Sequence, residues 1–223
     1  MTAPRPLNAA MMASGSGSNV QALLDAEAAG APWTTRLLVS DRPGAGALDR
    51  AERAGIEHAV VPVTGRTEGD VTEETLARFE AAGIEFVFLA GYLRLVPPPI
   101  VRRYRERILN VHPALLPAFG GKGMWGRHVH EAVLASGARV TGPTVHLVDE
   151  RYDEGRILGQ WPVPVRVDDT LDTLAARVLK AEHLLYPRVA AHVCGALAAG
   201  EGVTPLDEPI ESFRPVPDRH PSI

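Results

Sequence analysis

The chain opens on an apolar run, Leu7 to Ala13, that breaks into Ser14-Gly15-Ser16-Gly17-Ser18-Asn19. It resumes as Val20 to Ala29, with apolar side chains at helical spacing and residues of high helix propensity. This reads as strand, loop, helix, and the pattern repeats. Arg36 to Ser40 has strand character, Gly46 to Ala54 helical, Ala59 to Val63 strand, Val71 to Ala82 helical and Phe86 to Ala90 strand. Such alternation predicts parallel strands joined by right-handed helical crossovers, and nearly continuous apolar strands suit a sheet covered on both faces.

After Pro97-Pro98-Pro99, which starts a helix or turn, Arg107 to Val111 is a further strand and the rhythm changes. His128 to Ala135 is helical, but Val140 to Val148 and Ile157 to Val165 are β-type runs with no helix between them, so mixed or antiparallel pairing is expected there. Leu171 to Cys194 is the longest helical stretch, closed by Gly195 or Gly200. The expected fold is α/β: a Rossmann-like, mostly parallel sheet with helices on both faces and an antiparallel strand or hairpin in the C-terminal half. One main domain is expected over 1–204, and a Pro-rich, extended tail over 205–223.

Composition narrows the class without changing this picture. With 223 residues, 45% hydrophobic and 22% charged, the chain can bury a core without staples. Cys194 is the single cysteine, which excludes an intrachain disulfide and a cysteine-rich metal site and fits a reducing cytoplasm. A formal net charge of −4 argues against nucleic acid as a partner and leaves room for a small, locally held anion. The most apolar segment, Phe86 to Val96, is interrupted by Arg94 and too short to span a membrane, and no signal sequence is read at the start. A cytoplasmic protein without membrane contact is expected.

Two features carry candidate chemistry. The Gly-Ser loop before the first helix presents unpaired backbone N–H groups at the positive end of a helix dipole, which suits a phosphate. A dinucleotide fingerprint would need a third glycine where Val20 stands, and no Gly-Lys-Ser/Thr closes the loop, so a single phosphate at Gly17, Ser18 and Asn19 is the expectation. The bland alternative is a tight turn with Ser18 or Asn19 capping the helix. The second feature is Asn110-Val111-His112-Pro113. Strand alternation puts the Asn110 amide and the His112 imidazole on one face, at the strand end where ligands of open α/β sheets bind. An amide that donates to an oxyanion beside a group that moves protons suits acyl transfer. A carboxylate would favour the protonated imidazole, and Asp149, Glu150, Asp153 and Glu154 are four candidates that spacing alone does not separate. His128, His130 and His146 lack a familiar zinc spacing, so no metal is expected.

Taken in order, Ser14 to Asn19, Leu89-Ala90-Gly91-Tyr92-Leu93-Arg94, Leu109 to Pro117, Gly142-Pro143-Thr144-Val145-His146 and Asp153-Glu154-Gly155 resemble the folate-dependent formyltransferases, from about residue 8 to 190. The resemblance implies transfer of the formyl group of 10-formyltetrahydrofolate to the amine of glycinamide ribonucleotide in purine synthesis, by direct attack and without a metal. It implies a catalytic trio of Asn110, His112 and Asp153, and so selects Asp153 from the four carboxylates. It further implies phosphate and ribose binding by Gly17, Ser18, Asn19 and Glu182, and a folate pocket lined by Leu93, Arg94, Leu95, Val96 and Asn110. The chain departs from the family in the stretch Ala118 to Gly126, a few residues longer than in many relatives. Lys122 there is a candidate for the glutamate carboxylates or the phosphate, against the bland reading of a flexible exposed lysine, and Arg66 is a candidate for the folate tail. The expected partners are these two small molecules, and the expected assembly a monomer or homodimer. Related enzymes that formylate tRNA or hydrolyse formyl-folate carry added domains that the sequence is not expected to hold. A deformylase-like hydrolase and a non-catalytic nucleotide- or folate-binding module are the alternatives.

Overall fold

The computed structural model describes residues 4–207. The elements run β1 (Leu7–Ala13), α1 (Ser18–Ala28), β2 (Trp33–Ser40), α2 (Gly46–Arg53), β3 (Glu57–Val60), α3 (Glu68–Ala81), β4 (Phe86–Leu89) and α4 (Pro98–Arg103). They continue as β5 (Ile108–His112), α5 (Arg127–Ser136), β6 (Val140–Thr141), β7 (Thr144–Leu147), β8 (Ile157–Gln160), β9 (Val163–Pro164) and α6 (Leu171–Ala198). One sheet has the order β3-β2-β1-β4-β5-β7-β8, and β6 pairs β9 in a separate ribbon. The pairings among β1 to β5 are parallel, whereas β7 joins β5, and β8 joins β7, antiparallel. This is the expected fold class.

The period-2 alternation of the strands builds two cores. Ala9, Met11 and Ala13 of β1, with Phe86 and Phe88 of β4, pack under α1 and α6 against Val20, Leu23, Leu185 and Val189. Ala10 and Met12, with Val87 and Leu89, face α3 and α4 through Val71, Phe79 and Ile100. The Tyr186 hydroxyl of α6 lies 3.2 Å from the Leu89 carbonyl and 2.9 Å from that of Leu109, tying the helix to two adjacent strands.

The strand order reverses between β1 and β4: β2 and β3 lie to one side of β1, β4 and β5 to the other. Loops leaving the C-terminal ends of β1 and β4 therefore diverge and open a crevice, the usual ligand position in such sheets. Two bonds fix its walls, Ser14 N–H to the Gly91 carbonyl (3.0 Å) and Leu93 N–H to the Ser14 hydroxyl oxygen (2.9 Å).

Several boundaries differ from those read in the sequence. The β-type run Val140–Val148 is two strands, because Gly142 (φ +139°) turns the chain where a Cβ would lie 1.8 Å from the Trp161 carbonyl oxygen. The run Ile157–Val165 divides likewise into β8 and β9. Helix α6 passes through Gly195 and stops before Gly200, which takes the left-handed conformation (φ +76°). Neither Ser18 nor Asn19 caps α1: the cap is Gly17 (φ +73°), with no side-chain bond. The Leu206 N–H donates to the Leu158 carbonyl of β8 (2.7 Å), so the chain past 204 is still tied to the edge of the domain. Residues 208–223 of the expected tail lie outside the described residues.

Candidate active site

A cavity of about 620 Å³ lies at the crevice, lined by residues that follow β1, β4 and β5 and by loops from the C-terminal half. Asn110 and His112 of β5 both line it, on the same face of the strand, as alternation requires. Antiparallel register places His146 of β7 opposite Asn110, and Thr144 opposite His112. Asp153 reaches the same cavity from the loop between β7 and β8.

Hydrogen bonds fix the tautomers. His112 Nε2–H donates to the Phe119 carbonyl (2.8 Å), so in the neutral ring Nδ1 is an open base, 3.6 Å from Asp153 Oδ2. His146 Nδ1–H donates to the Leu147 carbonyl (2.8 Å), which leaves its Nε2 to accept from the Asn110 amide (3.1 Å). Asn110 is thereby oriented with its second N–H uncommitted. Asp153 Oδ2 accepts from Gly121 N–H (2.9 Å), while Oδ1 lies 3.7 Å from His146 Nε2. The segment Phe119 to Gly121 thus holds both His112 and Asp153 through its backbone.

The electrostatics differ from the sequence expectation. Burial pushes His112 below its ordinary value and outweighs the opposing pull of Asp153, so the imidazole is neutral at pH 7. Burial also lowers His146 and His130. His130 of α5, likewise in the cavity wall, has a buried Nδ1 without a partner among the described residues.

At the other end of the cavity, Asn19 Nδ2 donates to Glu182 Oε2 (2.6 Å), while buried Asn19 Oδ1 has no partner among the described residues. Burial raises Glu182 to about 6. Together they form a desolvated set of acceptors for amine or hydroxyl hydrogens. Gly17 and Ser18 lie beside this end without lining the cavity, whereas Leu93, Arg94, Leu95 and Val96 all line it. Arg94 Nε is held by the buried carboxylate of Asp41 (3.1 Å), and Arg42, Lys122 and Arg151 add cations to the wall. Arg66 is elsewhere: it pairs with Glu74 at 2.6 Å on α3 and does not line the cavity. No group of three or more metal-ligating side chains exists among the described residues.

His146 and the Phe119 carbonyl are the partners sequence reading did not assign. The Gly-Pro-Thr-Val-His motif held the signal for His146, but only strand register sets it across from Asn110.

A switch-point cavity that joins an oriented amide, a basic imidazole and a carboxylate is equipped for acyl transfer to a nucleophile brought by a substrate. The chain belongs to the formyl transferase family, whose model matches residues 7–190. It is 44% identical over 191 residues to the chloroplastic phosphoribosylglycinamide formyltransferase of Vigna unguiculata, covering 83% of this chain and 60% of that protein. Among solved structures, phosphoribosylglycinamide formyltransferase from Brucella melitensis is 40% identical with a TM-score of 0.77, covering 90% of this chain and all of that one. Glycinamide ribonucleotide transformylase 1 from Symbiobacterium toebii is 36% identical with a TM-score of 0.79, over 89% and 92% of the two chains.

Proposed function

We propose that the chain transfers the formyl group of 10-formyltetrahydrofolate to the amine of glycinamide ribonucleotide, a step of purine synthesis, in the cytoplasm. The observation that carries this reading is the convergence of Asn110, His112 and Asp153 on one cavity whose far end, at Asn19 and Glu182, accepts hydrogen bonds. The names of the relatives above agree with it.

The residues divide the work as follows. The N–H groups at Gly17, Ser18 and Asn19 take the substrate phosphate, and Glu182 with Asn19 Oδ1 takes ribose or amine hydrogens. Leu93 to Val96 hold the folate head. The substrate amine attacks the formyl carbon, and the second N–H of Asn110 donates to the oxygen as it becomes negative. His112 Nδ1 takes the proton from the attacking nitrogen, and the Asp153 carboxylate stabilises the imidazolium this creates. That proton passes to the folate nitrogen as its bond to carbon breaks and the carbonyl re-forms. His112 thus enters as a neutral base rather than as a cation, because burial outweighs both Asp153 and the Phe119 bond, which favour the charged ring.

Purified protein given both compounds will release tetrahydrofolate in one-to-one proportion to formylated ribonucleotide. Equal release with the acceptor omitted would support a deformylase instead, and tight binding without turnover would support a non-catalytic module.

A further inference from the structure

Three large apolar side chains at the cavity are left open to water: Leu95 (39% exposed), Trp125 (46%) and Tyr152 (39%). They come from three separate loops. The other two tryptophans of the chain, Trp33 and Trp161, are buried at 1% and 6%. Trp125 lies between Gly123 (φ +91°) and Gly126 (φ +55°), conformations that favour glycine, and meets the His128 ring edge-to-face at 4.9 Å. No Cβ at Gly121, Gly123 or Gly126 would meet an atom within 4 Å, so the backbone around the indole stands in open space. The base of this same loop is bonded to the reacting centre through Phe119 O and Gly121 N.

We propose that Trp125 is a positioning residue that covers the aryl ring of the folate co-substrate by stacking, an inference that rests on the function proposed above. The chemistry of the co-substrate selects this ring. Its formyl group sits on a nitrogen bonded directly to the aryl ring, so with the formyl carbon at Asn110 and His112 the ring is the next rigid group along the molecule. Of the two arms leaving that nitrogen, the aryl arm carries the anionic glutamate tail, which needs water or cations. It therefore runs toward the open mouth, where Trp125, Leu95 and Tyr152 are exposed and Lys122 supplies positive charge, Arg151 being paired with Glu154 at 2.8 Å. The uncharged pterin arm takes the inner cavity. An indole on a glycine-flanked loop settles onto the ring as the ligand seats, and the bonds at Phe119 and Gly121 keep that loop in register with His112 and Asp153.

The test compares Trp125→Ala and Trp125→Tyr in steady-state assays, with calorimetric binding of 6-hydroxymethylpterin, a folate head without the aryl ring. Trp125→Ala is expected to raise KM for 10-formyltetrahydrofolate about five- to tenfold, the range of an aromatic pair, with kcat and KM for the ribonucleotide within about twofold. Trp125→Tyr should restore KM to within about twofold of wild type, and both variants should bind the pterin as wild type does. An unchanged folate KM in Trp125→Ala, or an equal loss of affinity for the pterin, overturns the role of Trp125 while wild-type turnover leaves the proposed function standing. Wild-type protein that fails to bind 10-formyltetrahydrofolate overturns both.

Discussion

Glu182 and Asn19 show what a ligand-ready acceptor pair costs the free protein. The Glu182 carboxyl is raised from 4.5 to about 6, so the folded state favours the protonated form. Full stability from this group is present below about pH 4.5 and is lost as pH rises through about 6, a penalty on the order of 2 kcal/mol at neutral pH. Glu182→Gln keeps the acceptor for Asn19 without the charge. It is expected to raise Tm by a few degrees at pH 8, to leave Tm unchanged at pH 4, and to raise KM for the ribonucleotide at least about tenfold. Calorimetry at the two pH values with ribonucleotide kinetics checks this; equal Tm shifts at both would show that the carboxylate is not desolvated. The same scale sets what could be read in advance. Asn110 and His112 were legible because strand alternation alone puts them on one face. The neutral state of His112 was not, because it depends on enclosure by Phe119 and the loop that follows.

At the scale of elements, the position of Asp153 depends on close contact between its loop and β7. A Cβ on Gly155 would lie 1.8 Å from the Leu147 carbonyl oxygen, so the chain passes here only as glycine, two residues after Asp153 (φ +56°). Gly155→Ala is expected to push the loop off β7, to destabilise the fold by about 2–3 kcal/mol and to lower kcat at least about tenfold. Chemical denaturation and turnover on the same sample test it, and wild-type values for both would mean the loop is free to relax. This explains why spacing left four acidic residues open in the sequence: choosing Asp153 took a resemblance, since a crossing against β7 is a tertiary fact. The strand–helix alternation through β5 was legible for the opposite reason, each element being specified by its own periodicity. The Gly142-Pro143 pair was a turn signal that the β-type reading of Val140 to Val148 passed over, while the tightness of the corner comes from Trp161, distant in sequence.

For the whole molecule, reversal of strand order between β1 and β4 opens a cavity between the glycine loop and the trio, where the proposed function brings both substrates together. Among the described residues lining it there is neither serine, threonine nor cysteine to take the formyl group covalently. The direct transfer proposed above, within a ternary complex, predicts intersecting reciprocal plots when initial rates are taken with both substrates varied. Parallel lines would indicate a formylated enzyme and refute direct transfer.

The central claim, that Asn110, His112 and Asp153 act together on the carbon being transferred, is tested most directly at the chemical step. Rapid-quench single turnovers with formyl-labelled folate, at saturating ribonucleotide, isolate that step in wild type and in Asn110→Ala, His112→Ala and Asp153→Asn. The predicted result is a loss of about 10² to 10⁴ in the rate of label transfer for each variant, with bound-ligand affinities within a fewfold of wild type. Label transfer near the wild-type rate in His112→Ala and Asp153→Asn would contradict it.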